Sequence, residues 1–184
     1  MVSIGIVFTS VKYFSPDFDT GFLIGKREIF SFYKYALYTH VISSPISIII
    51  ALFQLGYTSS KYHKAAGRIY VITVLLFAAP SGLFMSFFAI GGFTGILLFS
   101  SLSLLWFYYT LKGYLAIRHH RINRHKKWMV GSFLLANSAV LLRINSFVIH
   151  QFDLFDPITN YLIAAFLSWV PALVIHEIKA RNTV

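Results

Sequence analysis

The chain has 184 residues, 57% hydrophobic and 12% charged, with a mean hydropathy of +0.70 and a net charge of +10. Soluble domains carry about 25% charged residues, so the composition argues against a water-soluble enzyme, and the basic excess has to be explained by where it sits. There is no cysteine, which excludes disulfides, thiolate metal sites and cysteine nucleophiles.

The first fourteen residues, MVSIGIVFTSVKYF, are apolar but have no basic n-region and no small-residue cleavage site, so they do not read as a signal peptide. At roughly 1.5 Å per residue they are too short to cross a hydrocarbon core of about 30 Å alone. They read as a partial first helix or an interfacial one. Five longer apolar runs follow: span A at residues 30–57, span B at 69–90, span C at 93–117, span D at 128–149 and span E at 158–178. Each is long enough to cross a bilayer as a helix, the form that satisfies its own backbone in lipid. The expected fold is an all-α integral membrane bundle of about five transmembrane helices plus the short N-terminal segment, as one domain over residues 1–184. Gly91 and Gly92 stand alone between spans B and C and predict a tight antiparallel hairpin.

Charge orients the bundle. Lys61, Lys64 and Arg68 lie between spans A and B, and Lys179 and Arg181 follow span E. The stretch RHHRINRHKKW, residues 118–128, separates spans C and D with five basic residues and three histidines. All three groups share one face of a five-span map, while the other face holds five of the six acids. The positive-inside rule assigns the basic face, and with it the C-terminus, to the cytoplasm, as expected for a bacterial inner-membrane protein. The partner is then the lipid bilayer, and a nucleic-acid role for the basic stretch is disfavoured because it forms a short loop at a membrane surface.

Few charged residues fall within the spans. Arg143 is the sharpest, because an intramembrane arginine costs roughly 2.5 kcal/mol or more and faces the bundle, unless it snorkels to lipid phosphates. His40 shares its level in the outer half, with Asn145, His150 and Asn160 nearby, which outlines an outer polar pocket. The competing reading of His40 is a neutral histidine bonded to a neighbouring helix. At the basic face His63, His119, His120, His125 and His176 gather at one level. His63 and His125 could serve as metal or haem ligands, although headgroup contact explains interfacial histidines as well. HKAAGRIY before span B and HKKWMVGS before span D echo one another.

These motifs occur in a fixed order: His40, Pro45, Gln54, HKAAGRIY at 63–70, SG at 81–82, GG at 91–92, Trp106, HKKWM at 125–129 and Arg143. The set resembles the bacterial membrane family called domain of unknown function 2306, over about residues 36–146. The resemblance implies a multi-pass helical membrane protein, with His40, Gln54, His63, Gly67, Arg68, Tyr70, Trp106, His125, Trp128 and Arg143 at its motif positions. Gly131 departs from it, standing where the family often has arginine before Ser132.

The leading functional expectation is a redox-linked membrane protein that binds haem b or a quinone through His40, His63, His125 and Arg143. The alternatives are an accessory or assembly subunit packed against other membrane-protein subunits, and a small-molecule or lipid transporter.

Overall fold

The computed structural model describes residues 18, 23–56, 61–152 and 155–181; the expectation for residues 1–14 lies outside them. Among the described residues every regular element is helical. Helix α1 is Phe30–Gly56, α2 is Lys61–Ser86, α3 is Gly92–Arg118, α4 is Ile122–Ala136, α5 is Ser138–His150 and α6 is Pro157–Arg181. Helices α1, α2, α3 and α6 are each long and apolar enough to cross a membrane, and α4 with α5 makes a fifth span if counted together. Large apolar side chains such as Ile42, Leu76, Leu104, Phe147 and Val174 are exposed on them, the pattern of helices whose outer surface meets lipid.

The spans match the sequence reading with three corrections. First, α2 and α4 begin well before their apolar runs, because the basic turns at residues 61–68 and 122–127 are helical too. Lysine, arginine and alanine are good helix formers, so the helices continue past the apolar segment. Second, the link between α2 and α3 is not two glycines but residues 87–91. Gly91 has φ 95°, and a Cβ there would lie 2.7 Å from the Leu162 side chain, so the turn needs glycine on both counts. Third, span D is broken: α4 and α5 meet at Asn137 with a bend of 41°. The Asn137 side chain donates to the Phe133 carbonyl at 2.8 Å, and its own backbone N–H donates to the same oxygen at 3.0 Å. Asparagine thus closes one helix and opens the next, the competition with helix continuation that short polar side chains offer.

A second irregularity sits inside α2. Residues Thr73–Ala78 form a π-helical segment just before Pro80, and the Ala79 N–H reaches back to the Val74 carbonyl. Proline has no N–H and crowds the preceding turn, and a widened turn accommodates it. Helix α3 is packed against α2, α4 and α6, while α1 packs on α2 and α4. The buried residues Ser103, Trp106, Thr110 and Gly113 recur at helical spacing along one face of α3. Close approach of α3 to α4 depends on Gly113, where a Cβ would lie 2.6 Å from the Met129 sulfur.

Helix α6 starts on Asp156, with Pro157 at the first helical position. Its Oδ1 accepts from the backbone N–H groups of Ile158 and Thr159, each at 3.1 Å. The hydroxyl and then the backbone N–H of Thr159 hold the carboxyl below its usual range. A carboxyl lowered in the folded state stabilises above its unfolded pKa, and the contribution is lost as pH falls through the lowered value. Asp156→Ala is therefore expected to reduce the melting temperature in detergent at neutral pH, and the difference from wild type should vanish in strong acid. A gap between the two proteins that persists at the lowest pH would show that the cap is not the cause.

Candidate functional site

Between α1, α2, α3, α6 and the α4–α5 break lies a cavity of about 460 Å³, within the size range of small-molecule sites. Most of its wall is apolar, from Leu37, Val41, Ile48, Met85, Leu102, Trp106, Leu135 and Leu142. Its polar groups are His40, Arg143, Tyr161 and a set of serines that includes Ser44, Ser103, Ser138 and Ser168.

His40 is fixed from both ends. Its Nδ1 is 2.9 Å from the Ala78 carbonyl oxygen, and its Nε2 is 3.1 Å from the Ser44 hydroxyl. A carbonyl only accepts, so Nδ1 carries the proton. The apolar wall disfavours a charged ring, and in the neutral imidazole Nε2 is the basic nitrogen and takes the hydrogen bond from Ser44. The accepting carbonyl belongs to the last residue of the π segment, so the irregularity in α2 helps to place the imidazole. Gly82 completes the seat: a Cβ there would lie 2.9 Å from His40 Cε1 and 3.0 Å from Ser103 Oγ.

Arg143 lies on the opposite wall, on α5, and is exposed. Among the described residues its one hydrogen bond runs from Nη1 to the Ala139 carbonyl of its own helix at 3.2 Å, and no carboxylate pairs with it. Most of its five N–H donors therefore remain for a ligand. The cavity thus joins His40 and Arg143, as the sequence suggested, but not the other members of the expected outer pocket. Asn145 donates to the Ala164 carbonyl at 3.5 Å and Asn160 to the Phe155 carbonyl at 2.8 Å. His150 is exposed at the end of α5, and none of the three lines the cavity.

His63 and His125 are placed elsewhere, at the basic end of the bundle. His125 Nδ1 donates to the Gly113 carbonyl at 2.8 Å, which clasps α4 to α3. The His63 backbone carbonyl accepts from Gln54 Nε2 at 2.8 Å, which clasps α2 to α1. Gly67 lies under that same amide, where a Cβ would come within 3.1 Å of Gln54 Nε2. Neither histidine lines the cavity. Among the described residues no group of three or more His, Asp or Glu comes together to hold a metal ion.

The sequence reading missed a buried hydroxyl cluster next to the cavity. Tyr70 Oη and Thr110 Oγ1 each lie 2.7 Å from Ser132 Oγ, and Trp106 Nε1 donates to Tyr70 Oη at 3.2 Å. Tyr70, Thr110 and Ser132 are completely buried. The signal available was the spacing of Trp106, Thr110 and Gly113 on one helical face. Tyr70→Phe strands the Trp106 N–H and is expected to destabilise the protein by about 1–3 kcal/mol. In thermal unfolding, Ser132→Ala on top of Tyr70→Phe should cost much less than it does alone. Simple additivity of the two losses would contradict a shared cluster.

Apolar helices with lipid-facing side chains, joined inside by polar contacts around one small-molecule-sized cavity, define a multi-pass helical membrane protein. The chain belongs to the family described as predicted membrane protein (DUF2306), whose family model matches residues 37–179. No curated protein and no solved structure matches it.

Proposed function

We propose that this protein binds a quinone-type molecule in the cavity between His40 and Arg143, as part of a redox-linked role in the membrane. The observation that carries this is the pairing, across one mostly apolar cavity, of a neutral histidine with an arginine that no described carboxylate neutralises. A quinone ring suits the apolar wall. A ring oxygen accepts from the Arg143 guanidinium, and the hydroxyl of the reduced form donates to the Ser44–His40 pair. Haem b is less well supported. A bis-histidine haem would need a second imidazole beside His40, and His40 is the one histidine lining the cavity. Metal or haem ligation at His63 and His125 would use His125 Nε2, since Nδ1 is engaged with Gly113.

The proposed setting is a bacterial inner membrane with the basic end and the C-terminus in the cytoplasm. Alkaline phosphatase fused after Arg181 should then be inactive. The ligand test uses Trp106, which lines the cavity. In a Trp128→Phe/Trp169→Phe background it is the single emitter, and a short-chain benzoquinone should quench it saturably. Quenching that rises linearly with no saturation, or a Soret band in the purified protein, would replace this reading.

A further inference from the structure

Helix α5 stands apart from the wall it faces. Among the described residues it comes within packing distance of α6 and, at the break, of α4, but of none of α1, α2 and α3. Helix α4, on the other side of Asn137, does pack on α1. The 41° bend therefore carries the second half of span D away from α1 and along α6, and the cavity occupies the space left. His40, Val41 and Ser44 of α1 line one side of it, and Ala139, Leu142 and Arg143 of α5 line the other. Arg143 is exposed rather than sealed within, and the neighbouring outward residues Ile42, Ile144 and Val148 are apolar and exposed as well. A gap between two membrane-spanning walls, edged by apolar side chains, faces acyl chains and not water.

We infer that the cavity is loaded sideways from the bilayer, through the gap between α1 and α5, and that its occupant is an amphiphile with a long apolar chain. The head passes Arg143 to reach His40, and the chain follows through the gap, its far end in the lipid. The arginine serves both as a contact for a head oxygen and as a filter, since a head of net positive charge would be repelled there. This inference rests on the reading of the cavity as a ligand site but is separate from the identity of the head.

The test uses acyl chains as the probe. The Trp106-only protein is placed in phosphatidylcholine vesicles with brominated or plain acyl chains. Bromine quenches indole at short range, and Trp106 is 6% exposed, so deep quenching requires a chain in the gap. The absence of native cysteine allows Val41→Cys with Leu142→Cys to be bridged by bifunctional maleimides of graded length. The brominated lipid is expected to quench Trp106 by a third or more, and bridging should reduce this at least threefold. Ala139→Phe, which fills the mouth without a bridge, should do the same. Equal emission in brominated and plain vesicles, or quenching that is changed neither by the bridge nor by Ala139→Phe, overturns the inference. Saturable quenching by the tailless quinone without any by brominated lipid leaves the head site standing and rejects the lateral route. The opposite pattern keeps the route and rejects the quinone.

Discussion

Arg143→Met is expected to weaken binding of a short-chain benzoquinone by about 10- to 100-fold, with little change in melting temperature. The size follows from the chemistry: a hydrogen bond from a charged group to a ligand oxygen is worth about 1.5–3 kcal/mol, and each 1.4 kcal/mol is about tenfold in Kd. The small stability effect follows from the structure, because Arg143 is exposed and its one described hydrogen bond returns to its own helix. Methionine keeps length and apolar packing while removing the charge. His40 needs a different replacement, since its Nδ1 ties α1 to α2 through Ala78. Asparagine can keep that bond, its amide nitrogen standing in for Nδ1, and deletes Nε2. His40→Asn should therefore leave the fold intact and lower affinity for the reduced, hydroxyl-bearing ligand more than for the oxidised one. The measurement is Trp106 quenching in each redox state. Unchanged affinity in both variants would remove His40 and Arg143 from the site.

The largest stability effect is expected at Gly131. A Cβ there would run into the Tyr109 ring, on a helix pair whose approach already depends on Gly113. Tyr109 is itself held, since its hydroxyl donates to Glu177 Oε1 at 2.6 Å, and Glu177 Oε2 lies 3.4 Å from Lys127 Nζ. The ring cannot move aside without breaking the tie between α3 and α6. Overpacking of this kind costs about 1–3 kcal/mol or more. Gly131→Arg, which installs the residue expected from the resemblance, adds a long cation beside Lys127 as well. It should abolish recovery of folded protein, while Gly131→Arg with Tyr109→Ala should restore much of it. Size-exclusion profiles in mild detergent and melting temperatures read both. Failure of the second change to rescue would mean that Tyr109 is not the obstacle.

Much of this architecture is legible in the sequence because lipid imposes one rule on every span. Span A at residues 30–57 and span E at 158–178 lie almost on Phe30–Gly56 and Pro157–Arg181. The break at Asn137 is not legible, since apolar residues continue on both sides and hydropathy does not sense a side chain that doubles a backbone bond. The π segment escapes for a similar reason: it changes hydrogen-bond partners without changing composition. His40 and Arg143 could be matched by depth alone, and the structure brings both to one cavity. His63 and His125 share an echo of motif. The structure gives each a clasp to the preceding helix, through a backbone carbonyl in one case and an imidazole in the other. Motif order carries family membership well, but it does not distinguish a residue that meets a ligand from one that locks two helices.

The π segment also fixes the phase of α2. An extra residue in one turn acts as a one-residue insertion, and everything beyond it is rotated by about 100° relative to a regular helix. Tyr70, before the segment, is directed at Ser132 and Trp106, while Ser81 and Gly82, after it, are directed at His40. A single strand of helix thereby serves two different neighbours. Chain length between Tyr70 and Ser81 is consequently a quantity under constraint: substitutions there alter surfaces, whereas loss or gain of one residue would turn the His40 seat away from the cavity.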